Sequence, residues 1–133
     1  AGNGGDPASL RAALDAVVAR LGPPDVAIYN ASVLRMASPS VLAPEALAED
    51  LAIDVTGALV MAQHVLPAMR ARGRGTILLT GGGTAFEPWV GAASLGIGKA
   101  GIRNLALALS RELAPHGIHA GTVTICGTIA PGT

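Results

Sequence analysis

An α/β fold built on a doubly wound parallel sheet is what this sequence predicts, and three observations carry the prediction. Helical segments of about 20 residues alternate with short apolar runs, the pattern of right-handed strand–helix–strand crossovers. The apolar runs end in glycines or small polar residues, as strands do where they leave a buried sheet. Half of the 133 residues are hydrophobic, yet they include only one Trp, one Tyr and one Phe. An interior of Ala, Val, Leu and Ile suits a buried parallel sheet with closely packed helices.

AGNGG leads into Asp6 and Pro7, an N-cap and a residue suited to the first helical position. Leu10, Ala13, Leu14, Val17, Val18 and Leu21 recur at helical spacing, and GPPD stops the helix. DVAIYNAS, residues 25–32, reads as a strand buried on both faces, and VLRMASPSVLA as loop. Pro44 and Glu45 start a long helix that runs to about Arg72. Its inner side holds Leu47, Leu51, Val55, Ala58, Leu59, Ala62, Leu66 and Met69, and Pro67 is expected to bend or tighten its last turns. GTILLTGGGTA, residues 75–85, is a buried strand running into a glycine-rich loop, where Gly81, Gly82 and Gly83 point to positive φ or close backbone approach. A helix from about Gly91 to Leu113 follows, and residues 117–133 give a last strand and loop. Ligands in such sheets bind at the carboxyl ends of the strands, which singles out YNAS, TGGGT and ICGTI.

Nine basic and nine acidic residues give a net charge of zero. Zero net charge without a Lys/Arg run argues against nucleic acid or an anionic membrane as the main partner, and the RARGR cluster at Arg70–Arg74 reads as a solvated helix end. Cys126, the single cysteine, rules out an internal disulfide, suits a reducing compartment and reads as a small buried hydrophobe. No apolar run approaches ~18 residues and no leader pattern opens the chain, so a soluble, cytoplasmic protein is expected. His64, His116 and His119 show no ligand spacing, and no metal is expected.

Taken together, the strand ends and the segments between them resemble the short-chain dehydrogenase/reductase family along nearly the whole chain. The family's Asn-Asn-Ala-Gly is matched by Tyr29, Asn30, Ala31 and Ser32, and its long helix by AIDVTGALVMAQHVLPAM. GTILLTGG matches the fifth strand, LGIGK the Tyr-x-x-x-Lys helix start, and LALALSRELAPHGI the segment that follows. The resemblance implies a Rossmann-like sheet, a nicotinamide cofactor (NAD or NADP), a small-molecule substrate and a homodimer or homotetramer formed through the two long helices. The family's glycine-rich first turn is not among these residues, and residue 1 falls at the end of the family's third strand. Residues 1–133 are therefore expected to form a single partial domain, from the third crossover helix to the sixth strand, of an intact domain of roughly 200–250 residues.

The resemblance also implies roles. Lys99, the sole lysine, would hydrogen-bond the nicotinamide ribose; a surface lysine is the plainer alternative. Leu95 stands where the family has its proton-donating tyrosine, Gly82 where it has its carbonyl-polarising serine, and Asp54 where it has a water-binding asparagine. Asn3, Asn30, Ala31, Ser32, Gly127, Thr128 and Ile129 would flank the cofactor, Asn30 mainly as a structural residue. Asp54 needs a partner, a bound water or a raised pKa if it is buried; otherwise it marks a solvated bend. Thr80, Thr84 and Ser94 are candidate replacements for the serine hydroxyl. With Tyr and Ser both absent, the expected function is an NAD(P)-dependent oxidoreductase with an atypical active site. The alternative is an inactive relative serving as a cofactor-binding or assembly module.

Overall fold

A computed structural model describes residues 1–132. Its elements are α1 (Pro7–Leu21), β1 (Val26–Tyr29), α2 (Pro44–Leu51), a π-helical turn (Ala52–Thr56), α3 (Gly57–Arg72), β2 (Gly75–Gly82), α4 (Ala93–Leu113) and β3 (Ile118–Ile125). Short 3₁₀ turns at Gly83–Ala85 and Ala114–His116 flank α4. The strands form one parallel sheet in the order β1-β2-β3, with Ala27 beside Ile77 and Ile77 beside Ala120.

Local chemistry accounts for the helix ends. The Asp6 carboxylate accepts from the N–H groups of Ala8 and Ser9, and Pro7 supplies a ready-made φ at the first position of α1. Gly73 closes α3 in the left-handed conformation, with its N–H returned to the carbonyls of Met69 and Arg70. Pro67 lies inside α3 without interrupting it, and the departure from α-geometry falls at Ala52–Thr56 instead.

That π-helical turn changes which face of the long helix is buried. Periodicity points Leu47, Leu51, Val55 and Leu59 inward, whereas Asp50 and Asp54 are buried and Leu59 is partly exposed. One extra residue in a turn rotates everything on one side of it relative to the other, so a stripe extrapolated at 3.6 residues per turn loses register. Beyond the turn, Ala58, Met61, Ala62, Val65 and Met69 enter the core. The run from Pro44 to Arg72 is long and apolar enough to cross a membrane by length and composition, but its buried side here packs on the sheet.

Two crossovers step in the same direction along the sheet, β1 to β2 through α2 and α3 and β2 to β3 through α4, and successive crossovers of the usual hand place their helices on one side of a sheet. Ala27, Tyr29, Ile77, Leu79, Ile118 and Ala120 are buried beneath α3 and α4, and α1 packs on α3. The opposite face is open: Val26 is 52% and Ile28 62% exposed, and Val123 is exposed as well. Within the described residues β1 is buried on one face. Burial of a strand's second face depends on what lies over it, which the strand's own residues do not encode.

Candidate active site

Because the strands are parallel, their carboxyl ends open on one edge of the sheet. Asn30, Ala31 and Ser32 continue from β1 there, Gly82 ends β2, and Gly127, Thr128 and Ile129 follow β3. Apart from the partly buried Gly82, all of these residues are exposed. Asn3 sits in the turn before α1, where its side-chain oxygen accepts from the Gly5 N–H at 2.9 Å. That turn reaches β1 through Gly4, which lies against the Tyr29 hydroxyl.

Lys99, in the second turn of α4, folds back toward β2 and donates from Nζ to the Thr80 carbonyl at 2.9 Å. Its stem lies along Gly82, where a Cβ would come 3.3 Å from Cγ and 3.5 Å from Cδ. Close approach is thus what Gly82 provides. None of Gly81, Gly82 and Gly83 has positive φ, so that part of the glycine expectation does not hold. Burial holds the Lys99 ammonium below its ordinary pKa, opposed by the negative charge of Asp54.

Asp54 is 2% exposed, which removes the reading of it as a solvated bend. The π-helical turn aims it inward, where Oδ1 accepts from the Val33 N–H at 2.8 Å. Oδ2 is buried with no hydrogen-bond partner among the described residues. It presses on Gly98 of α4, whose missing side chain leaves the space it occupies. Burial raises the Asp54 pKa; the Val33 N–H, Lys99 and the nearby Ser32 hydroxyl pull it down, and Asp50 adds repulsion. Tyr29 cannot stand in for a phenol at position 95. Its ring is in the core, its hydroxyl donates to the Ile53 carbonyl, and burial followed by the Asp54 charge raises its pKa.

Leu95, one helical turn before Lys99, lines a cleft of 660 Å³ together with Gly83, Thr84, Phe86, Glu87, Trp89, Ile125, Cys126 and Gly127. Cys126 is exposed there, against the expectation of a buried thiol: it lies just beyond the end of β3. Ser94 is fully buried, and the Thr84 hydroxyl oxygen is buried without a partner among the described residues, so neither presents a hydroxyl to the cleft. Thr80 offers its carbonyl to Lys99.

Sequence reasoning missed the arrangement beside this site. Arg35 clamps the buried Asp50 with two hydrogen bonds of 2.9 Å, and Glu49 lies 3.5 Å from the same guanidinium. That bond from Arg35 holds the Asp50 carboxyl below the usual range against the cost of burial, with the neighbouring Ser94 hydroxyl helping. The clamp ties the loop after β1 to α2, and the Ala37 carbonyl ties it to α4 through the Ala93 N–H. Fifteen residues separate Arg35 from Asp50, so no local pattern announces the pair. The one available signal was two carboxylates four apart in an apolar helix. No group of His, Cys, Asp and Glu suited to a metal occurs among the described residues.

A family model described as short chain dehydrogenase matches residues 2–132. The chain is 28% identical over 109 residues to 2,3-dihydro-2,3-dihydroxybenzoate dehydrogenase of Escherichia coli, covering 82% of this chain and 42% of that protein. It is 30% identical over 124 residues to an uncharacterized oxidoreductase of Schizosaccharomyces pombe, covering 93% and 46%. It superposes with a TM-score of 0.86 and 26% identity on a gluconate 5-dehydrogenase from Burkholderia cenocepacia in complex with NADP and tartrate, covering 92% and 48%. The chain spans about half the length of the curated relatives it matches.

Proposed function

This chain belongs to the short-chain dehydrogenase family, and from that premise we propose that the intact protein is an NAD(P)-dependent oxidoreductase with an atypical active site. Residues 1–133 are read as one partial domain of it. The observation that carries the proposal is the Lys99 arrangement: a lone lysine held at the carboxyl edge of the sheet, with Leu95 one turn before it and Gly82 under its stem. Its ammonium has three donors, and the structure shows one of them used, on Thr80, which leaves two for ribose hydroxyls. Asn30, Ala31, Ser32, Gly127, Thr128 and Ile129 lie exposed along the same edge, and Asn3 on the turn against Tyr29, as residues that flank a dinucleotide must. A similar solved structure holds NADP.

When bound, the nicotinamide supplies or accepts hydride. The remaining work falls to the protein and water. Leu95 carries no proton and Gly82 no hydroxyl, so reduction of an ordinary ketone, which needs a proton at oxygen, is disfavoured. An activated alkene or an imine suits the site better, with hydride arriving at one carbon and a proton at the neighbouring carbon or at nitrogen. Asp54 is sealed from the cleft, so any proton it contributes travels through Lys99 or bound water; otherwise water supplies it directly. The same absences at positions 95 and 82 support the second reading, a catalytically inactive member that binds cofactor or organises an assembly. Either form is proposed to be a cytoplasmic homodimer or homotetramer joined through the helices spanning Pro44–Arg72 and Ala93–Leu113.

Calorimetric titration of NAD and NADP into the full-length protein tests the cofactor site. Lys99→Ala should weaken binding about tenfold or more, the loss of ~1.5–3 kcal/mol expected for a hydrogen bond to a charged group. Unchanged affinity would remove Lys99 from the site, and no binding by either protein would remove the reading itself.

A further inference from the structure

Resting on the oxidoreductase reading, we propose that the cleft before Leu95 takes an uncharged, apolar, ring-sized substrate against Phe86 and Trp89, a cyclic alkene conjugated to a carbonyl being the fitting class. The chain has three aromatic residues. Tyr29 is committed to the core, whereas Phe86 and Trp89 are 59% and 47% exposed and both line this cleft. Burying either ring within the fold would stabilise it by roughly 1.5–3 kcal/mol. Left exposed at a concave surface, the rings offer flat apolar walls to a ligand, continued by Leu95 and Ile125.

Contacts within the chain position the Phe86 side of this wall. The N–H groups of Phe86 and Glu87 both donate to the Gly83 carbonyl at 3.0 Å. The Arg103 guanidinium lies 4.8 Å from the centre of the Phe86 ring. Arg103 does not line the cleft, and the Lys99 ammonium is turned to Thr80. Glu87 is the one charged side chain among the cleft's described lining residues, so a carboxylate or phosphate would meet repulsion and find no facing cation. Flat, rigid rings lose little conformational freedom on binding and match aromatic walls, which favours them over flexible chains.

The test measures equilibrium binding to the full-length protein, with and without nicotinamide dinucleotide, of two probes: 2-cyclohexenone and the same ring carrying a carboxylate. The uncharged ring should bind and the charged one should not. Phe86→Ala and Trp89→Ala should each weaken ring binding about tenfold, while Trp89→Phe keeps most of it. Glu87→Gln should admit the carboxylated ring. Each variant's thermal melt checks that it folds, and both aromatic positions are exposed enough to tolerate change. Equal binding of both probes, no binding of either, or ring affinity indifferent to Phe86 and Trp89 would overturn the assignment. Ring binding in a protein that binds no nicotinamide would uphold the cleft and sink the oxidoreductase reading. Nicotinamide binding with hydride transfer only to charged, open-chain acceptors would do the reverse.

Discussion

Asp54 and Lys99 oppose one another's neutralisation, yet Lys99 gives its hydrogen bond to Thr80 and leaves Asp54 Oδ2 unmatched among the described residues. The consequence for stability has a definite sign. The Asp54 carboxyl titrates above its ordinary value in the folded chain, so between the two values the folded state holds a proton that the unfolded chain has lost. Stability therefore falls as pH rises through that window and stays lower above it. Asp54→Asn retains the oxygen that accepts from Val33 and removes the titration. Thermal melts should show it more stable than the parent at neutral pH, with the difference shrinking in mild acid. A neutral-pH loss of stability would mean that ionised Asp54 and Lys99 act as a stabilising pair. At this scale the sequence made Lys99, Leu95 and Gly82 conspicuous, because they stand in a recognisable spacing. It did not disclose Arg35, whose partner Asp50 is supplied by the fold.

α4 and the π-helical turn approach closely because glycines of α4 face that turn. A Cβ at Gly98 would run into the Asp54 carboxylate and come 2.9 Å from its Cβ, and one at Gly101 would come 2.9 Å from Val55. Alanine is the better helix former by ~1 kcal/mol, whereas overpacking a tight contact costs about 1–3 kcal/mol. Gly98→Ala should therefore lower stability on denaturant titration, despite the gain in helix propensity. An unchanged or increased midpoint would show that the two elements have slack and that Asp54 is not held as described. The helices and strands themselves were legible from apolar spacing, caps and glycines, with α4 beginning two residues later than expected. The π-helical turn was not: it shifts a face by one residue in the middle of an unbroken apolar run, and nothing in AIDVT marks the place.

For the whole molecule, the order of strands and the common direction of their crossovers bring Lys99, Leu95 and Gly82 to one edge, beside a cleft whose walls are mostly apolar. The parallel α/β arrangement followed from the alternation of segments, but the open face carrying Val26, Ile28 and Val123 did not, since coverage is a property of the assembled layers. The central claim is that the cofactor side of this site is kept while proton delivery to a carbonyl oxygen is lost. It is tested by following nicotinamide absorbance in the full-length protein with a panel of small ketones, beside a Leu95→Tyr, Gly82→Ser double variant. The new phenol would share a helix face with Lys99, and the new serine requires the lysine stem to move by a few tenths of an ångström. General acid–base catalysis contributes ~10²–10⁴-fold, so the double variant should reduce ketones measurably while the parent stays near background. Strong ketone reduction by the unmodified protein would contradict the account, because proton delivery would then need neither position.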